Sequence, residues 1–206
     1  MERGKLIYYE GGEGTGKSSH IKYTKKYLQN KGIPFKIVRE PGGTILAEKI
    51  RDILLNKESQ NMNSWTEILL FQASRSELYS EIVIPTLEEG ISVGQDRSGD
   101  STLAYQGYGR GKNLRLLTLL NKESRFGCEP DLAFIIDIDP VKGLEKELNQ
   151  DRMSLAGLEF HQKVRQGYLE IAKNNPKNYV VIPYIENGLE EMQSLMRPHI
   201  DKLFKF

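Results

Sequence analysis

The sequence predicts an α/β fold of three layers, in which a five-stranded parallel sheet is covered by helices on both faces. Short apolar runs typical of buried strands alternate along the chain with longer segments of helical spacing. This alternation favours a parallel sheet with helices on its two sides. Polar clusters also follow three of the apolar runs, as expected where the carboxyl ends of parallel strands line a ligand crevice.

The strands and helices are predicted from these patterns in chain order. The predicted strands span residues 5–9, 35–38, 132–137 and 179–182, and a short third strand begins with the apolar run 91–93 and ends at Asp96-Arg97. The first helix spans residues 17–31 and ends at Gly32, and an apolar stripe at residues 46–54 marks the second. A long helical tract follows at residues 65–89, with a kink or restart at Pro85. Later helices carry apolar residues at 114–120, span residues 142–173 with a break near 149–151, and carry apolar residues at 189–203.

Length and composition limit the class of protein. The 206 residues suffice for one domain with a buried core, which we expect to cover residues 1–206. The chain has 29 basic and 28 acidic side chains, so no overall charge points to nucleic acid or to a membrane. The single cysteine, Cys128, excludes an internal disulfide and favours the cytoplasm. We therefore expect a cytoplasmic protein that binds small molecules.

A glycine-rich segment between the first strand and the first helix fits the pattern G-x-x-x-x-G-K-[ST]. Glycines there allow backbone N–H groups to converge on anionic oxygens. The lysine of this pattern reaches the β- and γ-phosphates of a nucleotide, and the hydroxyl ligates Mg²⁺. The predicted phosphate-binding residues are Gly11, Gly12, Glu13, Gly14, Thr15, Gly16, Lys17 and Ser18. The sequence therefore predicts a site for a nucleoside triphosphate with its magnesium ion.

A second pair of residues indicates where a base could bind. Phe71 and Arg75 are four residues apart on a predicted helix, and this spacing places both on one face. An aromatic ring can stack on a base, and an arginine can donate to a base carbonyl. A core phenylalanine beside a solvated arginine fits the same spacing.

Charged residues also follow two other strands. Arg39 and Arg97 each come after an apolar run, and arginine suits bidentate binding of a phosphate. Asp96 can hold Mg²⁺ or orient Arg97, although an isolated Asp-Arg pair is also typical of an ordinary surface ion pair. Residues 101–111 mix hydroxyl, amide and arginine donors among glycines, a composition that favours contact with a polar ligand.

Taken together, these segments resemble the thymidylate kinases in their bacterial and archaeal form. The resemblance extends over residues 6–182 and keeps the family's order and spacing. It is carried by EGGEGTGKS from Glu10, REPGGT from Arg39, LLFQASR from Leu69, the pair Asp96-Arg97, Ser101, and AYQG from Ala104. It implies the P-loop nucleoside monophosphate kinase fold and transfer of a phosphoryl group from ATP to dTMP, giving dTDP and ADP. It also implies Mg²⁺ as cofactor and a homodimer.

The resemblance assigns roles to individual residues. Phe71 would stack on thymine, Arg75 would bond its O4, and Glu13 would contact the sugar. Ser101, Tyr105 and Gln106 would lie along the base and sugar. Arg39 and Arg97 would hold the acceptor phosphate, and Ser18 and Asp96 the metal. The residues expected to act in catalysis are Lys17, Arg39, Asp96, Arg97 and Arg152.

The resemblance also predicts a mobile lid at residues 142–154. Where the phosphate loop has glycine at the position of Gly14, relatives place catalytic arginines in the lid. Arg152 is the arginine that this segment offers, although a helix-surface ion pair fits it equally well.

Two departures from the family pattern weaken the expectation of an ordinary enzyme. Many relatives have an aromatic residue at the position of Ser98 and a glutamate at that of Ser154. We therefore expect slower turnover or weaker selectivity than in the relatives. Two other functions remain open: a kinase for another pyrimidine monophosphate or a deoxynucleoside, and a nucleotide-binding paralogue of low activity.

Overall fold

Five parallel strands form one sheet at the centre of the molecule. The computed structural model describes residues 2–147 and 151–206. The strands are β1 at Leu6–Gly11, β2 at Phe35–Arg39, β3 at Ser92–Asp96, β4 at Leu132–Asp137 and β5 at Tyr179–Pro183. Their order in the sheet is β2-β3-β1-β4-β5, and every neighbouring pair is parallel. The predicted five-stranded parallel sheet is thus confirmed.

Helices connect the strands and cover both faces of the sheet. The α-helices are α1 at Lys17–Asn30, α2 at Ile45–Leu55, α3 at Ser64–Leu78, α4 at Ile84–Glu88, α5 at Gly99–Thr102, α6 at Leu114–Ser124, α7 at Pro140–Lys146, α8 at Leu158–Asn174 and α9 at Leu189–Phe204. Segments of π-helix lie at Tyr79–Val83 and Leu103–Gly109, and short 3₁₀ turns lie at Lys57–Ser59 and Ser154–Ala156. None of the helices within the described ranges combines the length and apolar character that a membrane crossing requires.

The core forms two layers because alternate residues of the central strand point to opposite faces. Ile7 and Tyr9 of β1 pack with α1 and α9 on one face, whereas Leu6 and Tyr8 pack with α3 and α4 on the other. Side chains are buried on both sides of β1, as is usual when helices cover both faces of a parallel sheet.

Strand β3 ends where the sequence predicts. It runs from Ser92 to Asp96, and its start lies within the predicted apolar run at residues 91–93. Gln95 in this strand is polar, yet its side chain is fully buried and bonds Glu40 and Tyr79. The parallel register places Asp96 beside both Tyr9 and Arg39, so the ends of β1, β2 and β3 meet at one edge.

Of two further helical segments, one differs from its prediction and one agrees with it. Residues 101–111, predicted only as a ligand-contacting segment, are mostly helical and pack against α8. The predicted kink or restart at Pro85 is confirmed, because α4 starts at Ile84 with Pro85 in its first turn, directly after the π-helical segment Tyr79–Val83.

Candidate active site

A single cleft opens at the carboxyl ends of β1, β2 and β3. It encloses about 540 Å³ and is bounded by the glycine-rich loop, by α3 and by the π-helical segment Leu103–Gly109. Of the residues predicted to bind substrate or metal, the cleft is lined by Glu13, Ser18, Arg39, Phe71, Arg75, Asp96, Arg97, Ser101, Tyr105 and Gln106. The structure therefore brings together side chains that come from four separate stretches of sequence.

The glycine-rich loop turns sharply between β1 and α1. Gly16 has φ of +76°, a left-handed conformation that favours glycine, and α1 begins at the next residue. Lys17 bends its ammonium group back onto this loop, where it donates to the carbonyl oxygens of Gly11 and Gly12 and to the Thr15 hydroxyl. Burial and the nearby Arg97 lower the pKa of Lys17 to about 8. A phosphate bound in the loop would offer this cation a better partner than neutral carbonyls.

The two predicted metal ligands are in direct contact. The Ser18 hydroxyl donates to Oδ2 of Asp96 at 2.8 Å. Adjacent hydroxyl and carboxylate oxygens suit Mg²⁺, which prefers oxygen ligands and usually needs only one or two protein groups besides phosphate and water. No group of three or more His, Cys, Asp or Glu side chains that could hold a metal occurs in the described part of the chain. The residues present therefore fit a metal that is shared with a nucleotide.

Glu13 and Arg97 form an ion pair beside the loop. Arg97 Nη2 lies 2.8 Å from Glu13 Oε2, and the Tyr105 hydroxyl donates to the other carboxylate oxygen at 2.7 Å. Burial would raise the pKa of Glu13, but Arg97 and Lys17 outweigh it and lower the pKa to about 2. Arg97 has φ of +63°, which is uncommon outside glycine and frequent at functional sites. The pair therefore keeps its charges at neutral pH.

A fully buried carboxylate is linked to this ion pair through Tyr168, whose hydroxyl accepts a hydrogen bond from Arg97. Glu10, the residue before the glycine-rich loop, accepts hydrogen bonds from the hydroxyls of Ser98, Ser101 and Tyr168. Ser98 is itself fully buried, and its hydroxyl also caps α5. The small side chain at position 98 is thus part of a hydrogen-bonded network. Its predicted effect on selectivity stays a prediction.

Two arginines approach the cleft from the β2 side. Arg39 Nη2 donates to both carboxylate oxygens of Glu48, and Nη1 donates to the carbonyl oxygen of Pro41. Arg51 donates to the same carbonyl at 2.8 Å and also lines the cleft. The half-exposed Arg39 can reorient toward an anion more readily than a buried arginine, because its pairing with Glu48 is largely solvated.

Phe71 and Arg75 lie in different environments although both line the cleft. Phe71 is half-buried, so a face or edge of its ring is open to a ligand. Arg75 is 1% exposed, and every N–H of its guanidinium has a protein acceptor. The acceptors are Glu40, Gln72, Asn121, the carbonyl oxygen of Ser98, and Thr102. In this arrangement Arg75 has no spare donor for a base carbonyl.

Arg152 does not face the cleft, which corrects its predicted placement. Its side chain is 5% exposed and bonds the carboxylate of Glu67 and the carbonyl oxygen of Leu54. A guanidinium held by a buried carboxylate is not available to a transferring phosphate. The first residues of the predicted lid are helical, because they belong to α7, which ends at Lys146. Asp151 and Met153, near the other end of the predicted lid, line the cleft. Residues 148–150 of the predicted lid lie outside the described residues.

The glycine-rich loop and α7 touch backbone to backbone. A Cβ at Gly14 would lie 2.2 Å from the carbonyl oxygen of Gly143, and one at Gly143 would lie 2.5 Å from that of Glu13. Gly14 also has φ of +64°. Both positions therefore require glycine for this contact.

Sequence reasoning assigned no role to several residues of the site, namely Glu10, Glu40, Arg51, Glu67 and Tyr168. A weak signal existed for Glu10, since a carboxylate that continues an apolar strand has to be paired when buried. Arg51 is three residues after Glu48 on α2, which is also the pattern of a surface ion pair. Tyr168 gave no signal, because nothing in its local sequence shows that α8 returns to the loop.

The comparisons with known proteins decide the family. A family model described as thymidylate kinase matches residues 9–195. The chain belongs to the thymidylate kinase family. Among individual relatives, a thymidylate kinase of Carboxydothermus hydrogenoformans is 47% identical over 175 residues, which cover 84% of this chain and 86% of the relative. One from Thermoanaerobacter sp. (strain X514) is 37% identical over 206 residues and covers 99% of both chains.

A solved structure supports the same family and the fold. The crystal structure of thymidylate kinase from Ehrlichia chaffeensis matches with a TM-score of 0.81 and 32% sequence identity. The match covers 96% of this chain and 99% of that one. The predicted P-loop nucleoside monophosphate kinase fold is therefore confirmed. The resemblance inferred from the sequence motifs is confirmed as well.

Proposed function

We propose that this member of the thymidylate kinase family transfers the γ-phosphoryl group of ATP to the phosphate of dTMP, giving ADP and dTDP. The observation that carries the proposal is the shared cleft. The phosphate loop with Lys17 and the half-buried ring of Phe71 open into one volume of about 540 Å³, which Arg97 also lines. This arrangement suits a triphosphate and a monophosphate that lie end to end.

The acceptor phosphate needs no protein base in this reaction, because its attacking oxygen is already an anion. The obstacle is the approach of two polyanions, so positive charge has to be placed where the oxygens meet. Lys17 and Arg97 would supply it from the loop side, and Arg39 and Arg51 from the β2 side. Their positions hold the reactants in line and thereby lower the entropy cost of the transfer.

We propose that Ser18 and Asp96 hold a magnesium ion together with the phosphates of ATP. Bound there, Mg²⁺ would neutralise charge on the β- and γ-phosphate oxygens. Glu13 remains ionised and accepts a hydrogen bond from Tyr105, so that this carboxylate can receive a hydroxyl of the acceptor's sugar.

The proposal is tested by a coupled assay of ADP release with ATP and each of dTMP, dUMP, dCMP and thymidine. We expect turnover with dTMP that requires Mg²⁺. The variant Lys17→Met serves as the inactive control: its rate should be lower by several orders of magnitude while the fold is retained. Faster turnover with another acceptor would support the alternative kinase. Binding of ATP and dTMP without formation of dTDP would support the inactive paralogue.

We also propose a homodimer and residence in the cytoplasm. Helices α2, α3 and α6 pack side by side and carry several exposed apolar side chains, a feature that often marks a protein interface. These are Ile45, Leu46, Ile53, Trp65, Leu69, Leu114, Leu116 and Leu119. Sedimentation equilibrium should give twice the chain mass, and Leu69→Lys should shift it toward one chain. The presence of one cysteine supports the proposed compartment.

A further inference from the structure

A second cavity, which we call the α6–α8 cavity, lies outside the candidate active site. It encloses about 680 Å³, and its lining includes Asp100 of α5, Asn121 of α6, Ile171 of α8 and Tyr179 of β5. No described residue lines both this cavity and the cleft. Its volume lies within the range of about 300–1,000 Å³ that is typical of small-molecule sites. The proposed reaction assigns no part to it.

Arg125 lines this cavity as a buried cation whose hydrogen bonds are incomplete. It lies at the end of α6 and is 8% exposed. Its Nη2 donates to the carboxylate of Glu129, whereas its Nε is buried and has no partner among the described residues. By contrast, every N–H of the buried Arg75 has a protein acceptor. An unpaired buried N–H costs free energy, and an oxygen acceptor bound in the cavity would remove that cost.

Asp100 supplies an acceptor to the same cavity. It is 4% exposed, and the Tyr179 hydroxyl donates to its Oδ2 at 2.8 Å. A carboxylate has about four acceptor positions, so it can receive a further N–H from a ligand. Burial would lower the pKa of Arg125, but neighbouring groups that include Asp100 outweigh burial and raise it. The acceptor and the unpaired cation therefore lie within electrostatic reach of each other.

The charges of the lining balance one another. Arg125 and Lys177 are its two cations, and Asp100 and Glu129 are its two carboxylates. A phosphate dianion would bring two further negative charges without a matching cation, and burying unmatched charge is costly. The lining therefore favours a neutral ligand that carries both a hydrogen-bond acceptor and a donor.

Aromatic and aliphatic side chains form other walls of the cavity. They include Tyr108, Tyr179 and Ile171. A Cβ at Gly167 of α8 would lie 2.8 Å from the ring of Tyr108, so this ring packs directly on the helix backbone. An aromatic wall held in this way suits a flat ring, because every base can stack on an aromatic face.

We propose that the α6–α8 cavity binds a neutral nucleobase that carries a ring carbonyl next to a ring N–H. The carbonyl oxygen would accept from Arg125, as O6 of guanine does in nucleic-acid recognition. The ring N–H would donate to Asp100, and the base would lie against the ring of Tyr108. Adenine offers an amino group and a lone pair at the same two positions, so each would face a group of its own kind. The inference goes beyond the proposed function and does not depend on it.

The test compares inosine with adenosine, which differ only at these two positions of the base. Calorimetry with the intact chain should give a dissociation constant below about 1 mM for inosine and at least about tenfold weaker binding of adenosine. Arg125→Met should weaken inosine binding by at least about tenfold, because it removes the donors and keeps much of the volume. The matched control is Arg115→Met, an exposed arginine of the same helix, which should leave binding within about twofold. Phe71→Leu alters the cleft and should also leave it within about twofold.

Equal binding of inosine and adenosine by the wild-type protein, or no binding of inosine, would overturn the inference. Inosine binding that survives Arg125→Met but is lost in Phe71→Leu would overturn it too, since the ligand would then lie in the cleft. If Arg125→Met does not fold, a crystal of the wild-type protein soaked with inosine decides: inosine in the α6–α8 cavity supports the inference, and inosine in the cleft alone overturns it. A protein that binds inosine in the cavity but forms no dTDP would defeat the proposed function alone.

Discussion

Replacing Arg75 with methionine distinguishes a structural role for this arginine from direct base recognition. The side chain is 1% exposed, and its ion pair with Glu40 has an N–O distance of 2.8 Å. Methionine removes all five N–H donors and keeps much of the volume. The variant leaves the buried carboxylate of Glu40 with Gln95 as its remaining hydrogen-bond donor. Gln72 and Asn121 lose a donor in the same change.

The magnitude follows from this loss of partners. Breaking a buried ion pair by removing one partner costs about 3–5 kcal/mol of unfolding free energy. For a chain of 206 residues this corresponds to a fall in melting temperature of roughly 10 °C. Burial raises the pKa of Glu40 even in the wild-type protein, and Arg75 opposes that rise. Without Arg75 the folded-state pKa rises further above the unfolded value, so stability is lost as pH increases. The variant should therefore lose less stability at pH 5 than at pH 8.

Thermal and urea unfolding at pH 5 and pH 8 measure both effects. The control is Arg115→Met on α6, where an exposed arginine should change stability by less than about 0.5 kcal/mol. The reasoning would be refuted by an Arg75→Met protein with wild-type stability that binds dTMP weakly. That result would mean that Arg75 has free donors and contacts the base directly.

Three further predictions concern the cleft. The value of kcat/KM for ATP should fall as the pH rises through about 8, because Lys17, whose pKa is lowered to about 8, loses its proton and its charge there. A pH profile that is flat to pH 10 would contradict this. Tyr105→Phe should raise KM for dTMP by roughly tenfold with less change in kcat, since the lost hydroxyl orients Glu13 and Arg97. Steady-state kinetics of this variant, with Phe71→Leu measured for comparison, would show whether KM changes more than kcat. Asp96→Asn should raise the Mg²⁺ concentration for half-maximal rate by about 10–100-fold, and an unchanged metal titration would exclude the proposed ligand pair.

Much of the fold was predictable because hydrophobic periodicity and one motif agreed. β4 has the predicted bounds, and α1 begins where the glycine-rich loop placed it. The burial of Gln95 in β3 was not predictable, since it depends on hydrogen bonds with distant residues. Local pattern reports apolar burial and cannot report polar burial that depends on tertiary partners.

In the site, too, some features follow from the local sequence pattern and others depend on tertiary partners. Ser18 and Asp96 were placed together by motif and strand order, and their contact follows from the register of β1 and β3. Arg75 and Arg152 were predicted as ligand-facing cations; Arg75 lines the cleft and Arg152 does not, and both are bound to buried carboxylates. Spacing along a helix gives the face of a side chain. It does not give the partner that another segment supplies, and here Glu40 and Glu67 supply it.

The backbone contact between Gly14 and Gly143 limits how this chain can change. An arginine introduced into the phosphate loop at position 14 would collide with α7 before its charge reached a phosphate, because the obstacle is a carbonyl group that no rotamer avoids. A catalytic cation can therefore not be moved from one side of the cleft to the loop by a single substitution. Such an exchange would need the backbones of the loop and of α7 to separate first, because substituting Gly143 leaves its carbonyl group in place and adds a contact with the carbonyl oxygen of Glu13.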